Sequence, residues 1–522
     1  MGTRIQAMAL SAEAYHRHRF AQWAVSLVGN HEVLNLTAPD VVRSIHERYI
    51  EAGADMITTN TFSANSISQQ EYGCQAMSAE MALQGARIAR QAADRCTDRM
   101  IWVAGSMGPT SKSLSVASDM NNPLARACSF DEMTEAYYTQ AEALMTGGVD
   151  VLLLETCIDA LNVKAALNAI QLLNEQTGRQ IPVMVSATIN DRSGRLLTGQ
   201  TLEAFFVSVS HYPLLSFGIN CSFGVTELAP FIRQLSAEVP AYISIHPNAG
   251  LPNEMGEYEE LPSFTAAHLK TMGEAGLLNI AGGCCGTDEQ HVRAISEALR
   301  GIAPRRVPNR EERLAVAGLD AVTIDRSSRL LMHVGERTNV AGSRKFARLI
   351  AQHQYEEAAA IARQQIEGGA SVIDINMDDA MLNSQQEMQA FVRYIESDPA
   401  IARSALMIDS SDWDTVMAGL KNAQGKCIVN SISLKNGEDD FLQKALQLQR
   451  MGAAVVVMAF DEEGQATTFQ RKTAIARRAY DLLTGIGYPP SDIIFDLNIL
   501  TVATGMAEHA RYAVDFIDGV AG

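Results

Sequence analysis

The 522-residue sequence has little cysteine and no pairing pattern for what it has: eight residues, six isolated (Cys74, Cys96, Cys128, Cys157, Cys221, Cys427) and two adjacent (Cys284, Cys285). Secreted disulfide scaffolds carry dense, regularly spaced cysteines, so this is not one of them, and a reducing, cytoplasmic setting is expected. Adjacent cysteines also bridge each other only with strain, because a disulfide needs its Cα atoms several ångströms apart and suitably directed. Equally absent is any run near the roughly 20 apolar residues that a membrane helix needs, and the opening MGTRIQAMALSAEAYHRHRF has no signal-peptide pattern. Long basic runs are missing too. With 42 Lys and Arg against 60 Asp and Glu the formal charge is −18, which argues against the phosphate neutralisation that nucleic-acid binding rests on. Small molecules and other proteins are the expected partners, with no nucleic acid and no membrane.

What is present is a repeating pattern. At this length, with 47% hydrophobic residues, two domains are expected, each able to bury its own core. Short β-branched apolar runs alternate with stretches of helical period such as SAEMALQGARIARQAADR, the pattern of a parallel sheet wrapped in helices. In the first half the runs predict strands over 55–60, 100–106, 149–157, 182–188, 216–221, 241–250 and 277–285. Residues 301–330 hold two prolines, a charge cluster and no clean period, and read as a linker. Beyond it, strands are predicted over 331–339, 371–378, 405–411, 426–433, 453–461 and 492–500. The expected fold class is α/β, two (β/α)8 TIM-type barrels in tandem, the first lacking its first strand and the second its last two βα units. The domain bounds are 1–303, a linker over 304–330, and 331–522.

Reactive groups in such barrels sit at the C-terminal ends of strands. Those ends are polar here: Thr59 and Asn60, Glu155 and Thr156, Asn220 and Cys221, His246 and Asn248, Cys284 and Cys285. Asn60, Thr156 and Asn248 read equally well as caps or loop structure and as ligand contacts. Cysteine is a poor cap and usually a buried filler, the reading that suits Cys74, Cys96, Cys128, Cys157 and Cys427. Cys221, Cys284 and Cys285 end strands of one barrel and would project into one mouth. Three converging thiolates suit Zn²⁺, which binds sulfur at about 2.3 Å and leaves a fourth tetrahedral position open. The glycines at 282, 283 and 286 let consecutive side chains face one ion, which a regular strand forbids. Hydrolytic zinc sites favour neutral histidines; three thiolates keep an incoming thiol electron-rich, so the expected chemistry is S-alkylation.

With GINCSFG, HPNAGLPN and GGCCGT in that order, the first half resembles the homocysteine S-methyltransferase domain. VGERTNVAGSRKF, DINMDD, IDSS, IVNSISLK, VVVMAFDEEGQA and DIIFD make the second half similar to the pterin-binding domain that follows it in the cobalamin-dependent methionine synthase family. The resemblance covers essentially the whole chain. It implies that Cys221, Cys284 and Cys285 are the zinc ligands and that Glu155 holds the homocysteine amino group. It also implies folate contacts at Gly342, Ser343, Arg344, Asp409, Asn430 and Asp496. Asp and Asn suit the donor and acceptor edge of a pterin ring, although Asp374, Asn376, Asp409 and Asn430 also read as caps.

The family's first barrel starts with a strand ending in Asp-Gly-Gly just before Met-Gly-Thr, where this chain opens with Met1, Gly2 and Thr3. Its Asp-Pro-Asn appears as Asp496, Leu497 and Asn498, which lacks the ring that fixes φ. No segment resembles a cobalamin-binding module. The implied function is methyl transfer from 5-methyltetrahydrofolate to homocysteine by way of methylcobalamin, the cofactor held by a module, in cis or in trans, that this chain lacks. The alternatives are a cobalamin-independent homocysteine S-methyltransferase and an inactive zinc-thiolate scaffold.

Overall fold

The computed structural model describes residues 1–253, 256, 258–309, 313–324, 331–502 and 504–521. Two compact units form: residues 1–116, 126–202 and 213–310 in the first, and 117–125, 203–212 and 311–522 in the second.

Seven strands build the first sheet: β1 (Met56–Thr58), β2 (Trp102–Met107), β3 (Val151–Cys157), β4 (Val183–Ala187), β5 (Ser216–Asn220), β6 (Tyr242–His246) and β7 (Ile280–Ala281). All are parallel and lie side by side in chain order. A right-handed crossover needs a helix between parallel neighbours, and helices such as Ser78–Asp94, Phe130–Thr146 and Ala160–Thr177 supply it. Their starts are written locally. Ser129 and Glu132 form a reciprocal capping box, and Asp159 caps the next helix by accepting from Leu161 N at 2.9 Å. The sheet curls: Met56 from one edge strand and Ile280 from the other both pack on the cluster of Ala104, Val151, Leu153 and Met184.

The second unit repeats the plan. A short antiparallel hairpin, β8 (Ala315–Ala317) and β9 (Ala321–Thr323), precedes β10 (Val334–Asn339), β11 (Val372–Asn376), β12 (Ala405–Asp409), β13 (Ile428–Ile432) and β14 (Ala454–Met458). A small hairpin of β15 (Phe460–Asp461) and β16 (Gly464–Gln465) follows, and then β17 (Ile493–Asp496). The parallel sheet runs β10-β11-β12-β13-β14-β17. Again both edges reach one cluster, with Val334 and Ile494 packed on Val372, Ala405, Met407, Ile428, Ala454 and Val456.

Every strand expected in the two sheets is present, and most are shorter than the apolar run plus its polar exit. The linker expectation is corrected in part. Residues 310–312 and 325–330 lie outside the described residues. Between them the β8–β9 hairpin inserts Val316, fully buried, into the second unit's core cluster. Because Val334, Val372, Ala405 and Ala454 begin their strands or lie next to the beginning, Val316 fills the N-terminal end of that sheet. Burial of one such valine contributes roughly 1.5–3 kcal/mol, and Leu314 and Val322 pack on the same cluster, in a hairpin too short to show any period in the sequence.

Candidate functional site

β5 leaves the sheet abruptly. After Asn220, both Cys221 and Ser222 adopt left-handed backbone, with φ of 64° and 61°, a conformation uncommon for residues with a side chain. Cys221 N donates to His246 O at 2.9 Å and Phe223 N to Cys221 O at 2.8 Å, so the turn is tied to the exit of β6. That exit also braces the adjacent cysteines. Cys284 N donates to Pro247 O at 2.7 Å, Ala249 N to Cys285 O at 2.9 Å, and Cys285 N to Asn248 Oδ1 at 3.1 Å. The glycines around them are required by close approach. A Cβ on Gly283 would lie 2.4 Å from Thr287 Oγ1, and one on Gly286, whose φ is 77°, would lie 2.3 Å from the Tyr258 ring.

The outcome is three sulfur atoms facing one point. Cys221 Sγ and Cys285 Sγ are 3.7 Å apart, and the sulfurs of Cys221, Cys284 and Cys285 all lie within 4.8 Å of one another. Tetrahedral thiolates at a zinc-sulfur distance of about 2.3 Å are separated by about 3.8 Å, so the donor set fits such an ion. The thiols compete for protons among themselves. Hydrogen bonds from Cys284 and Cys285 pull Cys221 far below the ordinary thiol range, while the same bond to Cys221, with burial, pushes Cys284 well up.

Glu155 stands beside them at the end of β3. Burial pushes its carboxyl above the usual range, a hydrogen bond from Ser106 Oγ opposes the shift, and charge on Cys221 adds to it. Ser106 is held in turn by Thr59, whose Oγ1 accepts from Ser106 N at 2.9 Å. The next residue, Thr156, has φ of 59° and is gripped by the buried Asn220 amide. Of the three positions left open between capping and ligand contact, none is a helix cap. Asn60 donates to His31 O and Asn35 Oδ1 at 2.8 and 3.0 Å, deep in the fold. Thr156 and Asn248 shape the site's own turns. Among the cysteines read as filler, Cys74, Cys157 and Cys427 are buried; Cys96 and Cys128 are partly exposed, and the Cys96 thiol donates to Asp98 Oδ1 at 2.9 Å.

The second unit's strand ends carry a different pattern. Asn339 pairs in register with Asn376, Asn376 with Asp409, and Asp409 with Asn430. Four neighbouring strands therefore present a polar row at one level, with Asn376 Nδ2 donating to Asp409 Oδ2 at 3.1 Å. Asp374 lies two residues below on the same face of β11 and is buried. Burial first, then the charges of Asp409 and Glu336, push its carboxyl up to about 8. Asp409 is pushed up to about 6, chiefly by burial, with the Asn376 bond opposing. Neither caps a helix: Asp412 does so after β12. Ser343 is the N-cap of the helix Arg344–Ala351, accepting from Phe346 N at 3.3 Å, and Gly342 N donates to Asn339 Oδ1 at 2.8 Å. Asp496 is exposed at the end of β17, where its Oδ1 accepts from Asn498 N at 2.8 Å. In place of the absent proline ring, the buried Lys472 Nζ donates to the carbonyls of Leu497 and Asn498. Sequence reasoning named Asn220 only as a polar strand end and missed Asn339, whose one visible signal is its place at the end of the GERTN run.

Residues 1–299 match the homocysteine S-methyltransferase family, and residues 335–521 match the pterin binding enzyme family. Among solved structures, the chain is similar to the homocysteine methyltransferase MmuM from Escherichia coli. In its oxidized form the identity is 20%, with 57% of this chain and 93% of that one covered and a TM-score of 0.44. In its metallated form the identity is 21% over the same shares, with a TM-score of 0.42. A homocysteine S-methyltransferase domain followed by a pterin-binding domain is the architecture of the N-terminal part of methionine synthase. The chain is a methyltransferase and belongs to the homocysteine S-methyltransferase family.

Proposed function

We propose that the chain methylates homocysteine to methionine, with Cys221, Cys284 and Cys285 holding a zinc ion and Glu155 holding the substrate's amino group. The observation that carries this reading is the convergence of three sulfurs within 4.8 Å at the ends of two strands, beside a partly buried carboxylate. Bound zinc keeps a fourth thiol deprotonated at neutral pH, and therefore nucleophilic. The chain's own part is placement. Glu155 accepts from the ammonium group, the turns at Cys221 and Gly286 fix the sulfurs, and the mouth leaves the thiol facing an incoming methyl group. A carbon-sulfur bond forms, the donor keeps the electron pair of the bond that breaks, and the thiol proton is released.

In the second unit, the row of Asn339, Asn376, Asp409 and Asn430, with Gly342, Ser343, Arg344 and Asp496 around it, would bind 5-methyltetrahydrofolate by the donor and acceptor edge of its pterin ring. The match to pterin binding enzymes supports a folate-type methyl donor. Methylcobalamin as carrier between the two substrates follows from the family resemblance alone, and its binding module would be one outside residues 1–522. Both curled sheets are read as TIM-type barrels, of which the described residues form seven and six strands. The domains run over 1–303 and 331–522, and the free thiols suit a cytoplasmic location.

Zinc-edge X-ray absorption on the purified protein, before and after homocysteine, tests the reading. Three sulfurs and one lighter atom should become four sulfurs. Zinc present in stoichiometric amount with an unchanged ligand set would refute thiol activation at this site.

A further inference from the structure

Asn220 makes every hydrogen bond that its side-chain amide can make. Its Oδ1 accepts from Thr156 N at 3.0 Å and from Ser186 Oγ at 2.7 Å; its Nδ2 donates to Thr156 Oγ1 at 2.9 Å and faces Cys284 Sγ at 3.9 Å. Thr156 N is a backbone N–H and can only donate, so the orientation of the amide is fixed: oxygen toward the backbone of β3, nitrogen toward the Thr156 hydroxyl and the sulfur. The backbone carbonyl of the same residue accepts from Thr188 Oγ1 at 2.9 Å. One buried side chain on β5 thus reaches across β4 to the exit of β3, and also touches the cysteine pair that follows β7.

The exit of β3 is where Glu155 stands. Thr156, which follows it, is β-branched and left-handed, with φ of 59°, a combination the chain adopts only where its surroundings impose it. Both its N–H and its hydroxyl are held by Asn220, and among the described residues no other side chain holds that N–H or that hydroxyl. The carboxylate itself is held by Ser106 Oγ, and the backbone that carries it is tied toward the sulfurs through the Asn220 amide.

We propose that Asn220 is a positioning residue that fixes the span between Glu155 and the sulfur cluster, and through it makes the site select an α-amino thiol of one chain length. The inference rests on the reading that Glu155 takes the ammonium group and the cysteine cluster the thiol end. Homocysteine carries its thiol two methylenes from the α-carbon. Cysteine carries it one away and cannot satisfy both ends of a rigid span, and 4-mercaptobutanoate keeps the chain length but has no ammonium group to engage Glu155. A site with a loose span would accommodate cysteine by shifting the carboxylate.

The test uses the full chain loaded with Co²⁺, whose sulfur charge-transfer band reports each added thiol directly. Wild type should bind homocysteine at least tenfold more tightly than either cysteine or 4-mercaptobutanoate. In Asn220→Ser, the preference over cysteine should fall by about tenfold, with 4-mercaptobutanoate affinity changed less than threefold. Thr156→Val, which removes one of the four partners and keeps the amide, should move the same ratio in the same direction by a smaller factor. It also stands in if the serine variant does not fold. An unchanged homocysteine-to-cysteine ratio in these variants overturns the proposal. So does a uniform loss of all three thiols together with the cobalt band, which marks a merely structural role. If wild type itself gives no thiol-dependent band, the reading of the site fails first, and this inference with it.

Discussion

The mouths of the two units lie at the same place in the same kind of sheet, yet one converges on a point and the other spreads along a line. In the first, three sulfurs lie within 4.8 Å of one another. In the second, Asn339, Asn376, Asp409 and Asn430 stand in register on four adjacent strands. Strands about 4.8 Å apart give that row a span of about 14 Å. A line needs only that the sheet bring its residues level: β11, β12 and β13 do so in continuous register, and a shift in β10 between Gly335 and Thr338 sets Asn339 opposite Asn376. A point needs the ladder to be broken. Cys221 and Ser222 turn left-handed, and the glycines at 282, 283 and 286 admit backbone where a side chain would collide. The ligands implied differ accordingly: a small cation for the point, a flat ring with donors and acceptors along its edge for the row.

Removing one arm of the point should have the largest effect. Cys284→Ser keeps the volume but replaces a thiolate by a hydroxyl, a poor zinc ligand at neutral pH. Zinc affinity should fall by more than the 10–100-fold that loss of a mere supporting partner costs. Methyl transfer to homocysteine should fall to background, while pterin binding in the second unit stays as it was. Metal content after dialysis against a graded chelator reads the first, and titration with 5-methyltetrahydrofolate the second. Retained zinc in Cys284→Ser would mean the point has another ligand.

Breaking the line should cost less, because its members share the ligand. Asp409→Asn preserves shape and can still accept from Asn376, so the change removes a charged acceptor and little else. Hydrogen bonds to charged groups contribute about 1.5–3 kcal/mol, which corresponds to roughly tenfold to a hundredfold weaker binding of 5-methyltetrahydrofolate. Zinc content should not change. Calorimetric titration measures both variant and wild type, and equal affinities would remove Asp409 from the binding row.

The comparison also explains what could be read from the sequence. Strands buried on both faces are near-continuous apolar runs, so VLLLETC and AVVVM were legible as strands without any partner in view. The cysteine pair was legible because glycines flank it. The role of Asn220 was not, because its partners Thr156, Ser186 and Cys284 lie 64, 34 and 64 residues away and are brought to it only by strand order. Of the polar row, Asn376, Asp409 and Asn430 were named from the sequence, but Asn339 and the alignment of all four escaped for the same reason: register aligns them, and register is a property of pairs. The β8–β9 hairpin was hidden by length, since strands of three residues show no period, and a buried Val316 looks like any other valine.

The smallest expected effect concerns the carboxyl beneath the row. Asp374, pushed up to about 8 by burial and by Asp409, is protonated in the folded protein over much of the range in which an unfolded chain would ionise it. A carboxyl whose folded pKa is raised costs stability as pH climbs from about 4 toward that value, because the unfolded chain releases the proton first. Asp374→Asn carries no proton to lose. Its advantage over wild type in the melting temperature of the second unit should therefore widen between pH 5 and pH 8. Each kcal/mol corresponds to about 2–4 °C for a unit of this size. Scanning calorimetry across that interval reads the difference. A gap that stays flat would show that Asp374 is ionised in the fold, and that the row rests on a charged carboxylate despite its burial.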